Sequence, residues 1–259
     1  MLTWFPSPYP DELFYSVLCR YYVSSGVKEH YLVKKQLFGT KAGVKMATLY
    51  PNATVHAALL QLPDGVFDER DMILRHTPFL YYARMYPQEE REVLLDDLVQ
   101  GRSRTPTHLW KTFPKDNYAL RYCPSCVQED TQIYGEPYYH VEHQIPLSSV
   151  CVRHKCRLKQ IAVDNPRLAL NNRFYPLGTV ETAREPDMDV TPAELQVSGL
   201  VREYWKLPAS VSPPACNNLY QTLLNGGYMN IVRQNGLNID RAKLYAALCG
   251  YHGAEAVKR

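Results

Sequence analysis

The chain has 259 residues, of which 46% are hydrophobic and 21% charged, a composition typical of soluble globular proteins. No apolar run reaches the roughly 18 residues of a membrane-spanning helix, and the first ten residues lack the basic and apolar regions of a signal peptide, so we expect a cytoplasmic protein. The net charge is only +3, which excludes a general polycation.

The first hundred residues show the spacing of helices. An apolar stripe predicts a helix over 11–25 that ends at Gly26, and Pro87 with the acidic residues after it predicts another over 87–99. Shorter helices are predicted over 30–37, 54–62 and 68–76. Short helices joined by tight turns predict a helix-turn-helix-like domain over 1–101, and a helical scaffold fits the same pattern.

Residues 102–118 are predicted to form a linker, since Gly101, Pro106 and Pro114 interrupt the helical pattern. Residues 101–160 contain nine basic and five acidic side chains, and the basic excess of the chain lies here. This excess favours contacts with DNA phosphates, although a plain solvated surface explains it equally well. The candidate DNA-contacting residues are Arg102, Arg104, Lys111, Lys115, Arg153, Lys155 and Arg157.

Four donors in the segment 119–162 have the spacing of a zinc site. Cys123 and Cys126 are separated by two residues, and after 24 intervening residues Cys151 and His154 repeat that spacing. Each pair fits one tight turn, and together they supply the closed tetrahedral set that binds a structural Zn²⁺. We therefore predict one structural zinc ion per chain, in a small zinc-ribbon-like α+β domain with strand-like alternation and turns.

Other interpretations of the cysteines are less well supported. A redox pair would need a thioredoxin-like βαβ context, which the sequence lacks, and a disulfide does not suit the cytoplasm. Cys156 lies two residues beyond His154 and is an alternative fourth ligand. His140 and His143 lie between the pairs, and we interpret both as structural or surface residues. A catalytic zinc needs an open coordination position, so an enzyme is not expected.

The region 163–259 begins irregularly and then regains helical signals. Thr191 and Glu194 form a capping-box pattern that opens a helix over 191–205. Two further helices are predicted near 216–225 and 240–249. The fold class predicted for the whole chain is therefore mainly α, with N-terminal helices, the central zinc domain and C-terminal helices.

Several motifs around the zinc ligands resemble the TniQ/TnsD family of transposition target-selection proteins. The family order is CPxC, an acidic residue, GE with aromatic residues, HQxP, then CxxH and a leucine. The matching elements here are Cys123–Cys126, Glu129–Asp130, Gly135–Glu136, His143–Pro146 and Cys151–Leu158. The opening Phe5–Leu13 also resembles the family N-terminus. The family often has Trp-Arg where Tyr139 and His140 stand, so we expect a fixed positive charge to be lost at position 140.

The resemblance implies a non-catalytic adaptor of a Tn7-like transposon in the bacterial cytoplasm, near the nucleoid. Such adaptors link target DNA, or a CRISPR effector complex, to an AAA+ ATPase regulator and through it to the transposase. The alternative is a zinc-containing, sequence-specific DNA-binding regulator unrelated to transposition. We expect partner contacts at exposed members of the set Tyr9, Tyr15, Tyr138 and Tyr139. The sequence leaves open the oligomeric state, the mode of targeting and whether the chain is a piece of a longer protein.

Overall fold

The structure is a computed structural model that describes residues 2, 4–39, 46, 53–84, 86–102, 119–163, 166–211, 223, 225–232, 236–252 and 254. The described part is mainly helical, with short antiparallel two-stranded sheets, which agrees with the mainly α class predicted from the sequence. Within these residues no helix combines the length and the apolar content that crossing a membrane requires.

The N-terminal part is a series of short helices. Their bounds are α1 Phe14–Ser25, α2 His30–Phe38, α3 Thr54–Leu59, α4 Glu69–His76, α5 Phe79–Ala83 and α6 Gln88–Val99. Asp68 caps α4 by accepting a hydrogen bond from the backbone N–H of Asp71. Helix α5 was not predicted, because its five residues follow Pro78 and are too few for a periodic pattern.

Helix α1 begins three residues later than its apolar stripe predicts. Asp11 has a φ of 59°, outside the helical region, and Leu13 is extended. The backbone N–H of Leu13 donates instead to the carbonyl of Tyr139 over 2.7 Å, and that of Val141 donates to the carbonyl of Asp11 over 2.8 Å. The N-terminal segment therefore pairs with the chain just before the second zinc motif.

The predicted zinc segment contains more helix than its alternating pattern indicated. Its elements are β1 Arg121–Tyr122, α7 Pro124–Tyr134, α8 Val141–Gln144, β2 Val150–Cys151, β3 Cys156–Arg157 and β4 Lys159–Gln160. Strand β1 pairs with β4 and β2 with β3, both antiparallel. The expectation of strands and turns was wrong for the first knuckle, because Pro124 occupies the first turn of a helix that runs to Tyr134.

The remaining elements are α9 Pro166–Asn172, α10 Pro192–Lys206, β5 Met229–Val232, β6 Gly236–Ile239 and α11 Arg241–His252. The capping box predicted at α10 is confirmed, with Thr191 and Glu194 each bonding to the other's backbone N–H. Strands β5 and β6 form a hairpin that the sequence analysis missed. Most of the helix predicted near 216–225 lies outside the described residues.

One hydrophobic cluster joins the helices on both sides of the predicted linker. It includes Leu13 and Phe14 from the N-terminal part, Tyr139 and Ile145 from the zinc segment, and Trp205 from α10. A second, small cluster holds the zinc-motif cysteines with Leu158. The domain boundaries remain predictions, but the described parts on either side of them share this packing.

Arg84 ties the end of α5 to the end of α10. Its side chain is almost fully buried, and its guanidinium donates to the backbone carbonyls of Trp205, Leu207, Pro208 and Val211. A helix C-terminus carries unpaired carbonyls and partial negative charge, which a buried cation can satisfy. This contact fixes where the chain goes after α10.

Candidate metal centre

The first knuckle is built at the start of a helix. Cys123 is the N-cap residue of α7, and its sulfur accepts the backbone N–H of Cys126 over 3.4 Å. The helix therefore begins at one candidate ligand and places the next one in its first turn. Both cysteines are buried, and their sulfurs lie within 4.8 Å of each other.

The second knuckle is built by the β2–β3 hairpin. Cys151 ends β2, and the turn after it is closed by a 2.7 Å hydrogen bond from the N–H of Lys155 to the carbonyl of Cys151. Lys155 has a φ of 52°, so the chain reverses there in the left-handed region. This reversal directs the imidazole of His154 toward the first knuckle.

The structure brings the four candidate ligands together. One donor atom each from Cys123, Cys126, Cys151 and His154 lies within 4.8 Å of the other three. Nδ1 of the histidine is 3.5, 3.3 and 3.6 Å from the three sulfurs in that order, and the sulfurs of Cys126 and Cys151 are 3.8 Å apart. A tetrahedral zinc with bonds of about 2.3 Å to sulfur and 2.0–2.1 Å to nitrogen places sulfurs roughly 3.8 Å apart and sulfur and nitrogen roughly 3.6 Å apart. The cluster could therefore hold one metal ion with zinc-like geometry.

Cys156 lies beside the cluster. Its sulfur is 3.3 Å from that of Cys123, but it is not part of the set in which all donor atoms are mutually close. Burial, with the hydrogen bond to Cys123, raises the pKa of the Cys156 thiol to about 12. The hydrogen bonds from Cys126 and Cys151 instead lower the pKa of the Cys123 thiol. The geometry therefore places Cys156 next to the four-donor set, in contact with the sulfur of Cys123.

A charged pair covers the outer side of His154. Glu129 Oε2 lies 3.1 Å from His154 Nε2, at ion-pair distance, and Glu129 Oε1 accepts from the guanidinium of Arg153. The glutamate is on α7, three residues after Cys126, so ligand and carboxylate share one face of the helix. Glu129 belongs to the acidic element of the family motif, but the sequence pattern gave no indication of its role.

His140 is held between two carboxylates. Its Nε2 is 2.9 Å from Asp130 Oδ2 and its Nδ1 is 3.6 Å from Asp11 Oδ2. Burial by itself lowers the pKa of His140, but the hydrogen bonds and charges of Asp11 and Asp130 outweigh it and raise the pKa to about 10. The fixed charge of an arginine is thus replaced at position 140 by a titratable histidine whose two carboxylate neighbours favour its charged form.

His143 is also buried, and it faces Cys151. Neither of its ring nitrogens reaches hydrogen-bond geometry with a described residue. Burial lowers the pKa of this imidazole, so the ring is neutral. Both histidines between the knuckles lie inside the packed structure.

A second charged network ties the N-terminal motif to the GE motif. Arg20 on α1 donates to Glu136 Oε1 over 2.7 Å and to Glu12 Oε2 over 3.0 Å, and its guanidinium lies 3.7 Å from the centre of the Tyr9 ring. The hydroxyl of Tyr9 donates to the same oxygen of Glu136 over 3.0 Å. Burial raises the pKa of Glu12 to about 7, against the opposing effect of Arg20. These contacts lock the N-terminal segment against the region that carries the metal ligands.

The HQxP motif supports the first knuckle through its glutamine. Gln144 accepts the backbone N–H of Arg121 over 2.9 Å and donates to the carbonyl of Arg121 over 2.8 Å, as a neighbouring strand would. The buried guanidinium of Arg121 donates to the carbonyls of Ile145 and Ser148. The strand that leads into Cys123 is therefore held from both its backbone and its side chain.

The candidate DNA-contacting residues differ in their surroundings. Arg104, Lys111 and Lys115, called the linker cations below, lie outside the described residues. Of the described candidates, Arg102 pairs with Asp97, Arg153 with Glu129, and Arg157 with Glu194 and Asp187. Lys155 is exposed and has no ion pair within the described part of the chain. Arg202 and Lys206 of α10 line the same pocket as Arg153, and both pair with Glu142.

The candidate contact tyrosines are mostly internal. Tyr15, Tyr138 and Tyr139 are buried, and only Tyr9 of the four is partly exposed. Tyr138 donates to the carbonyl of Pro10 and the N–H of Tyr139 donates to Ser16. The doubled tyrosine therefore packs the N-terminal segment against the zinc segment.

Comparison with known proteins identifies relatives of this chain. The TniQ family model matches residues 3–158, more than half of the chain and all four clustered donors. Over 181 residues the chain is 28% identical to the Escherichia coli protein named Transposon Tn7 transposition protein TnsD, and the aligned part covers 68% of this chain and 35% of that protein. The chain thus spans about a third of the length of this curated relative.

Proposed function

This chain belongs to the TniQ family, and from that membership we propose that it selects the target site of a Tn7-like transposon as a non-catalytic adaptor. It would hold an AAA+ ATPase regulator on target DNA, and the regulator would pass the target to the transposase. The observation that carries the proposal is the family match over residues 3–158, together with a relative named as a transposition protein.

The contacts around the cluster support an adaptor built on one rigid unit. The motifs that carry the family resemblance include residues of these ion pairs: Arg20 of α1 pairs with Glu136, and Asp130 of α7 pairs with His140. A buried network of paired charges fixes relative orientation, since any displacement would leave a charge unpaired. Such a unit can present a constant surface to two partners at once.

The donor set of the cluster supports a structural zinc and not a catalytic one. Three thiolates and one imidazole fill a tetrahedral site, which leaves no position for water or substrate. A bound zinc would supply folding free energy to the segment between the two knuckles. Cys123, Cys126, Cys151 and His154 would hold it.

The ion pairs narrow the surface that could contact DNA. A cation that already pairs with a carboxylate must give up that pair before it can bind a phosphate, so Arg157, held by Glu194 and Asp187, is a weak candidate. Of the described candidates, Lys155 is the better one, because it is exposed and has no ion pair among the described residues. We infer that DNA contact by this part of the chain is limited and that partner proteins supply much of the affinity.

The proposal is tested by reconstitution with the cognate regulator. Purified chain, AAA+ ATPase, ATP and target DNA are mixed, with and without an RNA-guided effector complex, and regulator loading on DNA is followed by microscopy. We expect loading near the target only when the chain is present. Dependence on the effector complex indicates guided targeting, and loading without it indicates direct recognition of DNA.

A zinc-free Cys151→Ser chain is the matched control, since it should lose the fold of the zinc segment and with it regulator loading. If the regulator loads identically with and without the chain, and insertions occur at the same sites, the adaptor function is refuted. Sequence-specific DNA binding by the chain in that case would favour the regulator alternative.

A further inference from the structure

We propose that Glu129 is a positioning residue of the metal centre, whose carboxylate fixes His154 so that Nδ1 is the nitrogen offered to zinc. This inference rests on the proposal that the four-donor cluster holds zinc. It adds a residue outside the ligand set to the centre, with a role in metal affinity.

The geometry assigns opposite tasks to the two ring nitrogens. His154 Nδ1 lies 3.3–3.6 Å from the three cysteine sulfurs, whereas Nε2 lies 3.1 Å from Glu129 Oε2, a buried oxygen that has no hydrogen-bond partner among the described residues. A neutral imidazole carries one N–H, and the metal requires the lone pair of the other nitrogen. A carboxylate beside Nε2 therefore favours the tautomer that leaves Nδ1 free to bind.

The carboxylate is itself held in place. Its Oε1 accepts from the guanidinium of Arg153, and its backbone belongs to α7, the helix that also carries Cys126. Arg153 lies in the turn that carries His154, so the ion pair joins the two knuckles on the outside while the metal would join them on the inside. Outer carboxylates of this kind orient ligating histidines and increase their basicity.

A simple surface ion pair is the competing explanation. Glu129 and Arg153 have side chains that are 31% and 48% exposed, and exposed pairs of this kind contribute little to stability. If only that pair mattered, removing either partner would have the same small effect. If Glu129 acts through His154, removing the carboxylate should weaken metal binding more than removing the arginine.

The experiment measures metal affinity in the full chain. Wild type, Glu129→Gln, Arg153→Met and Glu185→Gln are stripped of metal, loaded with Co²⁺, and titrated with Zn²⁺ against a chelator of known affinity. Glu185 is an exposed glutamate outside the cluster, so its variant controls for the loss of one negative charge. Glutamine keeps the size of Glu129, and circular dichroism of the metal-loaded chains checks the fold.

We expect Glu129→Gln to raise the zinc dissociation constant about tenfold or more, and the other two variants to change it less than about threefold. The thiolate-to-Co²⁺ absorption should keep its intensity in Glu129→Gln, since all three cysteines still bind, while the ligand-field band shifts with the altered histidine. A change below threefold in Glu129→Gln, or an equal loss in Arg153→Met, overturns the inference. If wild type binds no zinc, the metal proposal falls and the inference falls with it.

Discussion

Replacing Arg84 by methionine should destabilise the chain more than any loss of a surface ion pair. The guanidinium of Arg84 donates to four carbonyls after α10, and two of them, those of Trp205 and Leu207, have no other donor among the described residues. The other two each keep a second donor. Methionine fills similar volume but leaves the buried carbonyl of Trp205 and the half-buried carbonyl of Leu207 without this hydrogen bond.

The magnitude follows from the cost of a buried, unsatisfied polar group. At about 1–3 kcal/mol for each carbonyl, two orphaned acceptors cost roughly 2–6 kcal/mol, and the added apolar burial of methionine recovers part of this. We therefore expect Arg84→Met to lower the free energy of unfolding by about 3 kcal/mol. Single substitutions of this size are uncommon and come from a few mechanisms, of which an orphaned polar group is one.

Arg70→Met is the matched control. Arg70 pairs with both Glu92 and Asp96, but its side chain is 43% exposed, so we expect a loss below about 1 kcal/mol. If stability depended on the number of ion pairs with carboxylates, Arg70→Met would be the more destabilising change, because Arg84 has no such pair among the described residues. Urea unfolding of the zinc-loaded chains at neutral pH measures both. A loss in Arg84→Met below about 1 kcal/mol, or no larger than in Arg70→Met, would refute the reasoning.

Three further predictions concern the metal, pH and salt. Cys123→Ser should release the zinc and unfold the segment around it, and a variant that keeps both metal and thermal stability would contradict a structural zinc. The pKa of His140 is about 10 in the folded chain, above the ordinary value of 6.5. The charged histidine therefore contributes its full stabilisation of the fold below pH 6.5. This contribution is lost as the pH rises toward 10, by up to about 1.4 kcal/mol per pH unit. The variant His140→Arg stays charged, so its free energy of unfolding should not show this decline between pH 7 and 10. If urea unfolding gives the same pH dependence for wild type and variant, the charge of His140 is not the cause of the decline. Replacing all three linker cations by alanine should reduce the slope of log K against log salt concentration for DNA binding by about 3. Arg157→Ala should leave that slope nearly unchanged. Equal effects of the two changes would show that the ion pairs of Arg157 do not keep it from binding DNA.

Local patterns were the part of the structure that could be predicted. The start of α10 follows from Thr191 and Glu194, because a helix cap is a contact between residues three positions apart. The two knuckles follow for the same reason, since each ligand pair sits in a single turn. The family resemblance extended this local information to function.

Contacts between distant parts of the chain were not predictable in the same way. Asp11 was expected to begin a helix, but its backbone pairs with Val141, 130 residues later in the sequence. Tyr15 and Tyr139 were expected among candidate partner contacts, yet they are buried. Periodicity reports which residues share a face, and it does not report what covers that face.

The sequence by itself determined the zinc-like donor set, the helical character of the chain and its membership in the TniQ family, because spacing, caps and motifs are local properties. Only the tertiary structure showed that His140 is a cation between Asp11 and Asp130. It also showed that Arg157 forms an ion pair with Glu194, and that Glu129 lies beside the outer nitrogen of the candidate ligand His154. The physical reason is that the charge and availability of a side chain depend on burial and on neighbours brought from elsewhere in the chain. The packing of the folded chain determines which residues become those neighbours.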